Sequence, residues 1–311
     1  MRSPLLWTLI ASVVLLCGVG GWLLTDPATS RSEALKTGGL AGGAVVALYA
    51  LWLNDRRRRV EEARQVIEQQ RHDVDRERIS DERFAKSVEL LGHEADQVRV
   101  GALHALAGLA RTRPEYRQTV LDVLCSYLRR PFAHGRYDGK DSTPEQEREL
   151  QVRLTAQRLV RDLLPPSDVD GPGPDLDLTG AVLEYFDLSR RRIGGLLLRH
   201  ASLYSSTNLS GCVFTGQAYF TAAGTGPGRL VGLFRCRNAT FLDRAWFSGT
   251  AFSERTNFSD TAFKGRTTFK GASFAKEVLF DGATFSDSAE VQLPDGWKLE
   301  PQNGGYVAVP I

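Results

Sequence analysis

Five histidines, His72, His93, His104, His134 and His200, are the side chains here best suited to proton transfer near neutral pH or to metal binding. They are scattered through different parts of the chain, and His93-Glu94 lacks the second histidine that a zinc-protease helix requires. The four cysteines, Cys17, Cys125, Cys212 and Cys236, show no paired spacing, so neither a disulfide nor a zinc site is expected, and a reducing compartment suits them. Gly224-Thr225-Gly226-Pro227-Gly228 has the glycine content of a phosphate-cradling loop, but no Lys-Ser/Thr follows, and it reads as a bulge. Asp187, Asp243, Asp260, Asp281 and Asp287 offer no converging carboxylate pair for acid–base work. Arg190-Arg191-Arg192 could touch nucleic acid, yet an exposed run of this kind is commonly just solvated. No catalytic, cofactor-binding or metal-binding residue is assigned, and an enzyme is not expected.

The elements that would carry these side chains are set by a repeat. Phenylalanine returns at Phe241, Phe247, Phe252, Phe258, Phe263, Phe269, Phe274, Phe280 and Phe285, in steps alternating between six and five. Two positions earlier stands a small or short residue, as at Ala239, Ala245, Thr250, Thr256 and Thr261. Upstream the phase continues through Leu178, Leu183, Leu188, Leu198, Leu203, Leu209, Phe214 and Phe220, the early steps being plain fives. A helix at ~100° per residue would scatter these residues into two stripes, and a long strand has period two. Very short extended segments joined by turns and stacked coil on coil fit the spacing, which is a β-solenoid.

The pattern [Ala/Thr/Cys]-x-[Leu/Phe]-x-x, as in Ala181-Val182-Leu183-Glu184-Tyr185 and Ala201-Ser202-Leu203-Tyr204-Ser205, resembles the pentapeptide-repeat family. The resemblance implies a right-handed quadrilateral β-helix over residues 176–290, with four pentapeptides per coil. Arg191 departs from it, standing where a small residue belongs, and the phase is lost between Phe220 and Phe241. Trp297 is placed to cap the last coil, within a C-terminal cap and tail of residues 291–311 that is loosely attached after Pro301.

Residues 80–165 read as a compact α-helical domain. Ser80 has the character of an N-cap and Gly92 of a C-cap. Asp96-Gln97-Val98-Arg99 followed by Ala102, Ala105, Leu106 and Leu109 resembles the second helix of a HEAT repeat. Pro114 opens a helix with Val120, Leu121, Val123, Leu124, Tyr127 and Leu128 inward, and Thr143-Pro144-Glu145-Gln146 is a capping box. Pro165-Pro166 ends the domain, and residues 166–175 read as a linker.

The N-terminal region carries two apolar runs, Pro4 to Leu24 and Thr37 to Leu53, the second followed by Arg56-Arg57-Arg58-Arg59. About 20 apolar residues span a bilayer core. Residues 1–55 are therefore expected to form a two-span transmembrane hairpin, with both ends cytoplasmic by the positive-inside rule and the bilayer as partner. That makes a multi-pass protein of the cell (inner) membrane, with residues 56–79 as a charged helical stalk. Gly39, Gly43 and Ala47 lie at four-residue steps and offer a seam for homo-oligomerisation.

With 311 residues and a net charge of +2, several structural units are expected and a general polyanion binder is not, so no nucleic acid is expected as partner. The reading that follows is a membrane-anchored, non-enzymatic scaffold presenting its solenoid to a cytoplasmic protein partner. Two alternatives stand beside it. One is a DNA-mimicking, topoisomerase-binding regulator, which needs a strongly negative surface, whereas residues 176–311 hold 14 Lys+Arg against 12 Asp+Glu. The other is a transport or channel accessory, which usually needs an ionisable residue within a span.

Overall fold

In a computed structural model the backbone is described for residues 4–24, 31–229, 231–286, 291–302 and 304–311. The chain divides into two compact units, Met1–Ile79 and Ser80–Ile311.

In the first unit, α1 (Pro4–Leu24) packs on the start of α2 (Arg31–Leu90). The contact is close at Gly42, whose carbonyl accepts a hydrogen bond from Ser12 Oγ at 2.9 Å; a Cβ there would meet Ser12 O at 3.2 Å and Leu16 Cβ at 3.3 Å. A Cβ added at Gly39 or Gly43 would meet no described atom of another segment within 4 Å. The expected membrane hairpin is overturned, because among the described residues no helix is long and apolar enough to cross a membrane. The multi-pass membrane placement and the topology built on it fall with the hairpin. Arg2, most of the connecting segment, and the side chains of Arg59, Val60, Ile67 and His72 lie outside the described residues.

Ser80 does not start a helix. Helix α2 runs through it to Leu90, since residues 56–90 contain no glycine or proline and are rich in Arg, Glu and Gln, which favour continuation. The chain then turns at Leu91-Gly92, with Gly92 N–H donating to Glu89 O. Three further helices, α3 (Asp96–Thr112), α4 (Arg117–Arg129, preceded by a 3-10 turn at Pro114–Tyr116) and α5 (Pro144–Leu163), pack on one another, with α5 against both others. They form a small bundle. The capping box at the start of α5 is present in both directions, Gln146 N–H to Thr143 Oγ1 and Thr143 N–H to Gln146 Oε1. The inward face of α3 is Ala102, Leu103, Leu106, Ala107 and Ala110, so it is rotated from the expected one and Ala105 is exposed.

Residues 176–286 form a β-solenoid of two- to seven-residue strands β1 to β18, paired in parallel from coil to coil. Four ladders run along it. One joins Leu176, Leu196, Ala218, Ala245 and Thr267; their spacings are 20, 22, 27 and 22 residues. A second joins Val182, Ser202, Gly224, Ala251 and Ser273. A third joins Asp187, Asn208, Arg235, Asn257 and Leu279, and a fourth Arg192, Val213, Thr240, Ala262 and Thr284. The second and third are linked into one sheet because β2 (Val182–Asp187) and β5 (Ser202–Asn208) run unbroken across their corner.

Inside, aromatic rings stack on their counterparts one coil away. Phe214, Phe241, Phe263 and Phe285 form one column at 4.4, 5.1 and 4.8 Å between centroids, and Phe220, Phe247 and Phe269 another at 4.6 and 4.8 Å. The small residues two positions before them are buried too, as expected, with Ala239, Ala245, Thr256 and Ala283 all inaccessible. Phe274 is only partly buried, because its ladder ends there.

The 27-residue coil contains the stretch where the phase is lost. Gly224–Gly226 is not a loop but strand β8, a rung paired with β5 and β12 (Ala251–Phe252). The excursion follows it, and the chain rejoins the third ladder at β9 (Leu233–Arg235). In this coil large and small residues exchange places. Thr225 and Cys236 occupy positions held by Leu or Phe in neighbouring coils, while Phe234 takes a position held by Thr207 and Thr256. The Phe234 ring packs against Phe220, Phe252 and Phe258, filling the space the two small residues leave.

Both ends of the solenoid are closed. At the C-terminal end, β19 (Trp297–Gln302) and β20 (Gly305–Pro310) form a hairpin whose second strand pairs antiparallel with β18 (Thr284–Phe285). Trp297 donates from Nε1 to Val278 O at 3.1 Å and meets the Phe280 ring edge-on, so it does act as a lid. The tail beyond Pro301 is therefore a paired strand, not a loose end. At the other end α4 and α5 pack on the first coil, and helix and coil residues form one continuous apolar core. Residues 166–175 are not a free linker. Ser167 N–H donates to Arg190 O, and Asp175 N–H and O bond the Gln118 side chain at 2.9 Å each. Arg191 occupies its small-residue position at the end rung, with Nη1 donating to the carbonyl of Leu164, the C-cap of α5. With no coil beneath it, the slot holds a residue that satisfies the helix terminus.

Candidate functional site

The corner that follows the third ladder is built by short polar side chains. Asp187 Oδ1 accepts from Ser189 N–H at 2.8 Å, Asn208 Oδ1 from Ser210 N–H at 3.2 Å, and Asn257 Oδ1 from Ser259 N–H at 2.8 Å. Each is an Asx turn, in which a carboxylate or amide oxygen fixes the bend two residues on. On the middle rung the same position is Arg235, which can only donate and so cannot close the turn. The position two residues later is Arg237. The corner itself turns in the left-handed region, at Arg190 (φ 57°), Gly211 (φ 67°), Asn238 (φ 53°) and Asp260 (φ 57°).

Arg190, Arg235 and Arg237 line an open groove of about 580 Å³, together with Ser210, Asn208 and, from the last turn of α5, Arg161. A second groove of about 500 Å³ continues from Arg235 and Arg237 toward Arg255 and Leu279. Arg161 is paired with Asp187 at 3.4 Å, and Arg255 with Glu277 at 2.9 Å. No ion pair among the described residues reaches Arg190, Arg235 or Arg237, and all three are exposed. Beyond the groove the corner changes sign, with Asp260 and Asp281 on its last two rungs. Of the arginine run, only Arg190 joins this group. Arg191 bonds the end of α5, and Arg192 donates to Gly171 O at 3.1 Å and Ser167 O at 3.4 Å.

A second polar group is buried where the helical bundle meets the solenoid. Glu184 is 1 % exposed, and its carboxylate accepts from Ser205 Oγ at 2.6 Å, Tyr137 Oη at 3.0 Å and Arg229 N–H at 3.1 Å. The Arg229 guanidinium reaches Glu147 at 3.0 Å, and Glu147 also bonds Arg136 and Ser142. Tyr137 stacks flat on Tyr204 with centroids 3.7 Å apart. The excursion of the long coil thus latches the bundle to the solenoid, and Gly228 lets it approach: a Cβ there would lie 2.3 Å from Ser205 Oγ and 2.7 Å from Glu184 Oε1. His134 is buried beside this group, 3.5 Å from Glu147, with no hydrogen bond to either ring nitrogen. Burial pushes its pKa below the ordinary value, with Arg136 acting in the same direction and Glu147 against it. Tyr137 is pushed up, by burial first and by Glu184 next. Hydrogen bonding from Ser142 lowers Glu147, despite partial burial, with Arg136 and Arg229 adding to it.

The other histidines stay apart. His93 Nδ1 accepts from Ala95 N–H at 3.0 Å, a local cap, while His104 and His200 are exposed on separate elements. Cys125, Cys212 and Cys236 are buried free thiols, the first two pushed up to about 12 and the third well above its usual range, chiefly by desolvation. Cys212 Sγ donates to Leu188 O at 2.9 Å. Sequence reasoning missed the groove because its cations come from residues 161, 190, 235 and 237. The signal within reach was Arg235 at a turn position where three of its four counterparts are Asp or Asn.

No family model, no curated protein and no solved structure matches this chain.

Proposed function

We propose that this chain is a non-enzymatic protein-binding scaffold, whose solenoid is of the pentapeptide-repeat type and whose binding face is the arginine groove. Four ladders of short strands and a first coil of 20 residues support the repeat assignment. The observation that carries the function is that Arg190, Arg235 and Arg237 share one open groove without an acidic partner among the described residues. Exposed cations that contribute nothing to the fold's own ion pairs are available to a partner, where arginine is a favoured contact residue. A DNA-mimicking role draws no support from a basic groove. The test is a photo-crosslinking residue placed at Ser210 in the full chain, in its native cell. Discrete protein adducts are expected there and not from the same probe at Lys264, on another ladder. No adduct from the groove would overturn the proposal.

A further inference from the structure

We infer that the groove takes an extended acidic segment of a partner protein, an inference that rests on the scaffold reading above. Arg190 belongs to the first rung of the corner, and Arg235 and Arg237 to the third. Parallel rungs lie ~4.8 Å apart, so the cations are spread over about 10 Å along the solenoid axis. A single phosphate is a point charge and cannot engage guanidinium groups separated in this way, whereas carboxylates along an extended chain, ~3.3 Å per residue, can meet each in turn. The floor between them is polar, with Ser210 and Asn208 open to a peptide backbone. No aromatic side chain lines the groove, so it lacks the stacking platform on which single-stranded nucleic acid depends. Its length is also limited, because Asp260 and Asp281 repel an anion that continues past the third rung. The ligand is therefore a short acidic stretch and not a long polyanion.

The probe is a fluorescent octaglutamate peptide titrated into the full-length protein, read by anisotropy at low and at moderate salt. Saturable binding is expected, weakened about tenfold or more as the Debye length shrinks from ~30 Å to ~8 Å. The double variant R190E/R237E should abolish binding, and R190K/R237K should restore most of it. Unchanged circular dichroism and melting temperature show that the fold is intact in both. Competition by inorganic phosphate at equal charge, or tighter binding of an eight-nucleotide deoxythymidine oligomer, would overturn the acidic-peptide assignment. So would absence of octaglutamate binding at low salt, including the case where wild-type protein sediments as a dimer that R190E/R237E dissolves, since a second copy would then fill the groove. If crosslinks from Ser210 persist while octaglutamate fails, the ligand class is wrong and the scaffold reading stands.

Discussion

A buried charge survives only when its surroundings answer it, and Glu184 shows how local the answer can be. Its carboxylate is met by a hydroxyl, a phenol and a backbone amide from residues 205, 137 and 229, which belong to three separate segments. Arg153 is similarly buried, donating to the carbonyls of Leu128 and Arg130 at the end of α4 and lying 4.7 Å from the centroid of the Phe132 ring. Neither could be read from sequence, because an outward position in a repeat and a helical arginine are solvated by default, and the groups they hydrogen-bond lie 20 or more residues away. His134 gives a test. The groups facing it are Arg136, Glu147, Glu184 and Arg229, with the rings of Phe132 and Tyr137 alongside. Its folded pKa lies below the unfolded value near 6.5, so the unfolded chain binds the proton more readily. The stability that neutral His134 contributes is full above pH ~6.5 and is lost as pH falls below it. Glu147, also depressed, adds a loss only below its unfolded value of 4.5. Urea midpoints between pH 7.5 and 5.5 should therefore drop more for wild type than for His134→Phe. Equal slopes in the two proteins would mean that His134 titrates normally in the folded state.

At the scale of the element, the repeat was legible because inward residues recur in phase, and a stacked ring is identified by its counterparts. Phe247 packs against Phe220 and Phe269 above and below and against Phe241, Phe252, Phe258 and Phe263 around it. Phe247→Ala should cost ~3–5 kcal/mol, whereas Lys264→Ala, exposed at a turn, should cost under ~0.5 kcal/mol; urea melts of both variants separate the two classes. The long coil was illegible for the complementary reason. Thr225, Phe234 and Cys236 compensate one another in volume, and no single position reveals the exchange. Hence Cys236→Phe, which restores the repeat on paper, should destabilise by ~1–3 kcal/mol, because the Phe234 ring already fills the space. A neutral or stabilising effect in the same melts would show that the coil has room for both rings. The helix start expected at Ser80 failed on a different ground, since a capping side chain cannot interrupt a segment whose neighbours all favour helix.

At the scale of the whole molecule, the helical domain and the repeat array belong to one compact unit, Ser80–Ile311, with a shared apolar core. Pro165-Pro166 and the following Asp and Gly residues have the composition of a linker, and composition is silent about what the flanking elements bury. A solenoid coil contacts only its neighbours, so the first coil must be covered by something that is not a coil. Here α4 and α5 provide the cover, placing Leu121, Leu124, Leu159 and Val160 in the same core as Leu176, Leu183 and Ile193. The Glu184 group adds a polar seal across the same junction, closed by the excursion that carries Arg229. A fragment of residues 176–311 would expose the apolar face of its first rung and leave the Glu184 carboxylate without Tyr137. Such a fragment is expected to aggregate or to melt without cooperativity, although every repeat it contains is intact. A fragment of residues 80–311 should instead unfold in a single transition, with calorimetric and van't Hoff enthalpies in agreement. If the 176–311 fragment is a soluble monomer and melts at the same temperature as the longer one, the bundle is not the solenoid's cap, and the shared core contributes nothing to its stability.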